Sequence, residues 1–539
     1  VASVSSSEDS PPGATLADLL AAAAAGPVVA YGLAAPAAAY AAARLLDRDP
    51  AARLVVIVPD DARAQDLTRD LRLFVPLPAG VTAGDPGAPH RADEISPPGT
   101  SPYAEVSPDR GALFRRMTAL YRLARGGAIA PRAVVASAGS LVRRVIPPAE
   151  LLALSFELAR GQSIDRDATV AALLAAGYRR APVVEDPGSF AVRGGVIDLF
   201  PPLYGLPVRL ELFGDELESL RAFDPTSQRT LRPLDAIAIH PVRETIATRG
   251  ADVRGRVLAA ADAAAHPSAA TRHLLEQIES GEEVVGLETL MPAFHAALVP
   301  LTDYLSHGVE TEWLIVDPDA VVREAAAEVE EAERRHEERV ADHRISFAPA
   351  ELYVAPDELA AQLASPPRRV EVRGLEIFHA APEPGAAEDA PEDALAGQAP
   401  PLPVTQLHFA QEAGSALRYE LERARRQEAP ELIRPLVAAL ADWRDAGWRT
   451  AIAVNSASRA ERLTALLAEY GLPAAPSEVD PFRFDALAPG GPPALVRGRL
   501  STGFTLPADR VAILSDEDIF GSRRASSTRQ RQAARRARD

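Results

Sequence analysis

Residues 188–231 read GSFAVRGGVIDLFPPLYGLPVRLELFGDELESLRAFDPTSQRTL. The stretch alternates as a β-meander does, and it organises the chain around it. Across Pro207–Phe213, Val208, Leu210 and Leu212 fall on one face and Arg209, Glu211 and Phe213 on the other, because side chains along a strand point to opposite sides in turn. The aliphatic face is the core face. The second face carries a large aromatic among charged residues. Gly214-Asp215 is a two-residue hairpin signal leading into Glu216–Phe223. On the strand before, Arg193 precedes Gly194-Gly195, which reads as a bulge that re-aims its neighbours. Two arginines and a phenylalanine on an exposed sheet have the composition of a protein-binding hot spot. Pattern alone favours an ordinary solvated face, since scattered exposed apolar residues are normal.

These same residues carry a resemblance. The run GSFAVRGGVIDLFPP…PVRLELFGDELESLRAFDPTSQR is similar to the module shared by the nucleotide-excision-repair protein UvrB and the bacterial transcription-repair coupling factors (Mfd). Thr100–Leu123 (TSPYAEVSPDRGALFRRMTALYRL) and Ala133–Pro148 (AVVASAGSLVRRVIPP) resemble the same family, and weaker likeness runs from about Val28 to Phe520. In that family the module binds the damage sensor UvrA, and Arg193, Arg209 and Phe213 stand at the UvrA-contacting positions. The resemblance therefore implies a docking surface for UvrA here.

Composition bounds the rest. The 539 residues suffice for three or four domains of about 150 residues. Basic residues number 57 against 75 acidic, a net charge of −18, so any contact with nucleic acid has to be local. There is no cysteine, which excludes disulfides and thiolate metal sites. There is also no lysine; every basic residue is an arginine. The chain begins at Val1 and is read as a fragment. The Ala-rich Leu19–Ala43 is interrupted by Gly26, Pro27, Gly32 and Pro36, so it reads as helix, buried strand, loop and helix rather than as a membrane span. No basic segment precedes it as in a signal peptide. The expected location is the cytoplasm, with no membrane partner.

The fold class expected is multidomain α/β: a degenerate UvrB-like P-loop-type domain with an α+β insertion, then a smaller α/β domain. In residues 15–153, strand signals at Val28–Tyr31, Leu54–Val58 and Ala133–Ala136 alternate with helix signals at Ala37–Asp47, Ala62–Leu73 and Asp109–Arg125, as a parallel α/β domain requires. Residues 154–241 form the α+β insertion. Residues 242–381 return to the first domain with mainly helical patterns. The acidic, Pro-rich 382–403 reads as a linker or loop. A second α/β domain is expected over 404–520, with no functional signature of its own. Residues 521–539 hold seven arginines against one acid, a pattern of a surface linker helix or of a contact with nucleic acid or polymerase.

ATP chemistry in such a fold needs a glycine-rich loop, a lysine on the β/γ-phosphates and a hydroxyl on Mg²⁺. After the first strand stand Tyr31-Gly32-Leu33-Ala34-Ala35-Pro36-Ala37-Ala38-Ala39. Gly32 is in place, but Ala38 and Ala39 occupy the lysine and hydroxyl positions. Apolar Trp313–Val316 leads to Asp317-Pro318, where UvrB-like ATPases carry an Asp-Glu pair; Asp317 has the metal-binding carboxylate and Pro318 replaces the activating glutamate. Gly32, Ala38, Ala39 and Asp317 thus mark a nucleotide site expected to be inactive. No cofactor and no metal is expected for this chain and no catalytic residue is assigned. His336 and His343, flanked by acids on one helix, read as a solvated face rather than a metal site, since no closed ligand set is visible. The acidic run at Ser515–Asp518 reads as a cap or polar turn.

The resemblance further implies an adaptor region that recruits UvrA to polymerases stalled at DNA damage. ATP and Mg²⁺ would serve a downstream motor, and RNA polymerase and double-stranded DNA would be held by domains beyond residue 539. The alternative class is an enzyme, a UvrB-like excision-repair ATPase or helicase component.

Overall fold

The computed structural model describes residues 13–82, 84–85, 87–97, 99–247, 251–280, 284–374, 404–410, 417, 419–423, 433–477 and 479–520. The expected linker 382–403 and arginine-rich 521–539 lie outside the described residues.

The first unit is a parallel sheet of seven strands: β1 (Val28–Tyr31), β2 (Arg53–Val58), β3 (Ala92–Ile95), β4 (Ala133–Ser137) and, after a long insertion, β13 (Thr311–Val316), β14 (Arg369–Arg373) and β15 (Thr405–His408). Their order across the sheet is β15-β1-β14-β13-β2-β4-β3, and every pairing is parallel. Helices cover both faces, so the central strands are buried on both sides and need no polar alternation. In β2 all six residues are buried. Leu54, Val56 and Val58 pack with Ala37–Ala43 and Leu67 on one face, and Val55 and Ile57 pack with Met117, Leu120 and Val321 on the other.

Residues between β4 and β13 carry the insertion. Strands β5 (Phe156–Ala159) and β12 (Ala236–Ile239) pair with each other. The meander consists of β6 (Arg179–Arg180), β7 (Ser189–Arg193), β8 (Val196–Leu199), β9 (Val208–Phe213), β10 (Glu216–Phe223) and β11 (Thr230–Pro233) in the spatial order β11-β10-β9-β8-β7-β6. Phe190, Ile197, Leu199, Val208, Leu210, Leu217 and Leu220 face Leu173 and Tyr178, which come from the helix Arg166–Ala175 and the turn after it. Gly214-Asp215 closes the β9–β10 hairpin, with Phe213 opposite Glu216. Gly194-Gly195, expected as a bulge, is instead the two-residue turn of a hairpin in which Arg193 faces Val196. A side chain at Gly195 would meet the Leu212 carbonyl oxygen at 2.9 Å, so close backbone approach explains a glycine there. The irregularities in the ladder lie on β10, between Leu217 and Ser219 and between Ala222 and Phe223.

The second α/β unit is a five-stranded sheet of order β17-β18-β16-β20-β19, built from β16 (Arg449–Val454), β17 (Ala475–Pro476), β18 (Ala494–Arg497), β19 (Phe504–Leu506) and β20 (Val511–Ser515). The boundary expected at 404 is corrected here. β15 pairs Thr405–His408 with Val28–Tyr31 and belongs to the first sheet, because β1 would otherwise be left with an open edge. The two units share an aromatic cluster in which Tyr40 and Phe74 of the first pack against Phe482, Phe484 and Phe504 of the second. Ion pairs Arg44–Asp485 (2.9 Å) and Arg483–Asp47 (2.7 Å) rim it.

Candidate protein-docking surface

The outward face of the meander is read directly from its register. One row runs Ala191, Asp198, Arg209, Arg221, Pro233 across β7 to β11; the next runs Arg193, Val196, Glu211, Ser219; beyond them Phe213 sits opposite Glu216. Arg193, Arg209 and Phe213 therefore share one face. Adjacent strands are about 4.8 Å apart and residues rise about 3.4 Å along each, so the three side chains spread over a patch some 15 Å across.

They are held differently. Phe213 is 79% exposed, the most exposed of the large hydrophobic residues described, at the tip of the β9–β10 hairpin. Arg193 is exposed, and its Nη2 donates to the Pro182 carbonyl, which ties the 181–187 loop to the sheet. Arg209 is half-buried. Its Nε donates to Asp198 Oδ1 at 2.7 Å and its Nη2 to Asp198 Oδ2 at 2.9 Å, and its guanidinium lies 4.9 Å from the centre of the Phe223 ring. The hydrogen bonds to Asp198 raise its pKa further above an already high value, with burial opposing, so the cation is permanent. Part of the Arg209 guanidinium is thus already engaged within the chain. Glu211 beside it is paired to Arg221. At one end of the face Val184, Ala191, Phe200 and Phe223 form a small core of their own, closed by the 181–187 loop.

Asp198, Phe223 and the Pro182 carbonyl were not singled out in the sequence. Alternation puts Asp198 on the outward face of β8, but pairing it with Arg209 needs the β8–β9 register.

The four residues of the expected nucleotide site are placed as follows. Gly32 ends β1 with φ +76°, and a side chain there would meet the Phe409 carbonyl oxygen at 2.5 Å. Ala38 and Ala39 are in the helix Ala35–Leu45 and are buried in its packing against the sheet. Asp317 caps the helix Pro318–Ala341, accepting from the Ala320 amide at 3.3 Å, and stands 3.9 Å from Arg63 Nη1. β14 lies between β1 and β13, so Gly32 and Asp317 are a strand apart. On that intervening strand Arg373 pairs with Asp319 (2.7 Å) and Glu371 (3.0 Å). Tyr31 stacks on His408, ring centres 4.9 Å apart. These pairs lie at the C-terminal edge of the sheet, where open α/β sheets take ligands. His336 and His343 bond to Ser346 and to the Ala264 carbonyl. Among the described residues no group of three or more His, Asp or Glu is placed to hold a metal. At the acidic run, Asp518 accepts from the Ser515 amide and hydroxyl and from the Gly503 amide, the polar turn expected.

Residues 156–244 match the family model of the UvrB interaction domain. Over 482 residues the chain is 32% identical to the transcription-repair-coupling factor of Myxococcus xanthus, covering 88% of this chain and 37% of that protein. The chain is a homologue of the transcription-repair-coupling factors. It is also 32% identical to the Escherichia coli transcription-repair-coupling factor over half of its own length and 23% of that protein. The UvrABC system protein B of Thermosipho africanus is 36% identical over 115 residues, 21% of this chain and 17% of that protein. The chain therefore spans well under half the length of the coupling factors it matches. The matched domain begins at β5 and ends five residues beyond β12, so it contains the whole meander. Among the described residues no helix is long and apolar enough to cross a membrane.

Proposed function

We propose that this chain is the UvrB-like adaptor region of a transcription-repair coupling factor, acting in the cytoplasm, and that the outward face of its meander recruits UvrA. The observation that carries this reading is a solvent-exposed phenyl ring, Phe213, on the same sheet face as two arginines. The ring supplies apolar area at low entropic cost, and arginines pair with carboxylates through a planar fork. Within this chain no phosphoryl transfer is assigned: Ala38 and Ala39 stand where a lysine and a hydroxyl are needed, and positioning with charge neutralisation is nearly all that such catalysis consists of. Polymerase contact and movement on double-stranded DNA, with ATP and Mg²⁺, are assigned to parts of the full-length relatives outside the matched span.

The test is affinity for purified UvrA. Arg193→Glu and Phe213→Ala should each weaken binding by about 2–4 kcal/mol, roughly 30- to 1,000-fold, with melting temperatures within a few degrees of wild type. Wild-type affinity in both variants would overturn the reading.

A further inference from the structure

We propose that Asp198 is a positioning residue of this docking surface, fixing the Arg209 guanidinium so that its Nη1 edge is presented to a partner carboxylate. The inference deepens the UvrA-docking reading and rests on it.

Asp198 is a carboxylate only 4% exposed, placed directly opposite Arg209 in the β8–β9 ladder. Both of its oxygens are committed to one residue, Oδ1 to Nε and Oδ2 to Nη2. The ring of Phe223, from β10, supports the guanidinium plane at 4.9 Å. Gln228 Oε1, from the turn after β10, stands 3.4 Å from Nη2. Three separate segments thus restrain one side chain. A guanidinium has five N–H donors; Nε and Nη2 are engaged and the two on Nη1 are left over. The side chain is 26% exposed, and Nη1 is not among the buried side-chain atoms left without a partner, so the free edge reaches solvent.

Such an arrangement adds little net stability to the fold if it ends there, since the desolvation of the buried carboxylate offsets most of the attraction, although breaking the pair strands that charge. It does much for docking. A long, unheld arginine gives up its rotamer freedom when it binds, and holding it beforehand removes that cost. The partner's carboxylate then meets a cation already aimed, with a charge-assisted bond to Nη1. Asp198 itself touches no partner; it acts through Arg209.

The experiment is a double-mutant cycle on the full chain, with UvrA titrated to concentrations at which even the Arg209→Ala chain binds. Asp198→Asn is nearly isosteric and should weaken binding on the order of tenfold. In the Arg209→Ala background the same change should cost nothing further, because the residue it positions is gone. Asp198→Glu, which keeps the charge, should bind more tightly than Asp198→Asn and serves if the latter does not fold. Equal losses from Asp198→Asn in both backgrounds, or no loss with Arg209 present, would overturn the assignment. If wild type does not bind UvrA, or Arg209→Ala binds as wild type does, the docking reading itself fails. If Arg209→Ala loses affinity and both Asp198 variants do not, only the positioning role fails.

Discussion

Asp70 and Ser501 meet across the junction of the two α/β units: the Ser501 amide and hydroxyl each donate to the Asp70 carboxylate at 2.6 Å. Asp70 lies on the helix Asp61–Phe74 and is wholly buried. Burial pushes its pKa from 3.8 up to about 7; the Ser501 bonds and Arg69 pull the other way, and Asp66 adds to the rise. The junction therefore carries a titratable group close to neutrality.

The first prediction follows from the sign of that shift. A carboxyl whose pKa rises on folding binds its proton more tightly in the native state, so its stability contribution is full below pH 3.8 and is lost as pH rises through about 7. Asp70→Asn keeps the hydrogen-bonding shape without the charge. Its unfolding free energy minus that of wild type, read by urea unfolding, should grow from about pH 4 to pH 7 by up to ~4 kcal/mol and level off above that. A difference that is flat with pH would show that Asp70 does not titrate in this range.

His240 carries the opposite sign. It is completely buried, stacked on Tyr121, with Thr118 Oγ1 at 3.2 Å from Nε2 and the Pro241 carbonyl 2.8 Å from Nδ1. Burial lowers its pKa from 6.5 to about 4, with the Pro241 carbonyl opposing. Stability from this residue is present above pH 6.5 and is lost as pH falls towards 4. Between pH 7.5 and 5 wild type should lose ~2 kcal/mol more than His240→Gln in urea unfolding. Parallel pH profiles for the two chains would remove His240 from the account.

Arg116 fastens the insertion to the first domain. It is 1% exposed, and its Nε donates to Glu244 Oε1 at 2.8 Å. Removing one member of a buried pair strands the other charge, so Arg116→Ala should destabilise by about 3–5 kcal/mol. Arg116→Met combined with Glu244→Gln should recover part of that loss, read by denaturant unfolding. A double variant as unstable as the single one would mean that packing, not the charge, is what Arg116 supplies.

Arg209→Glu and Phe213→Ala should part company in stability. The first sets a carboxylate against buried Asp198 and should cost about 1–3 kcal/mol. The second removes a ring that is already in solvent and should leave the melting temperature unchanged. Equal melting temperatures for the two variants would contradict the Arg209–Asp198 pairing.

Millimolar Mg-ATP should neither raise the melting temperature of the chain nor be hydrolysed by it, with or without DNA. Ligands that bind only the native state stabilise it by mass action, so a rise of several degrees, or turnover that survives further purification, would restore the enzyme reading.

Much of this was legible in the sequence because local chemistry and fold agreed. The continuous apolar run of β2, the Gly214-Asp215 turn and the alternation Val208/Leu210 against Arg209/Glu211 each have one cheap solution, and the structure adopts it. The rest depends on partners distant in sequence. Alternation states which side Arg209 points to, but not that Asp198 stands opposite. Gly194-Gly195 reads the same as bulge or turn until Arg193 is seen facing Val196. The strap through Pro182 and Val184 has no periodicity to betray it, since a loop contact is set by the sheet beneath.

The membership of β15 in the first sheet has a practical consequence for anyone dividing the polypeptide. β1 carries Thr405–His408 along its full length on one side, and the ring of His408 lies flat on Tyr31. A shortened gene stopping at 381 would strip that flank, baring a row of backbone amides and carbonyls beside β1 and inviting self-association. Excised versions intended for solution work should run through at least residue 410.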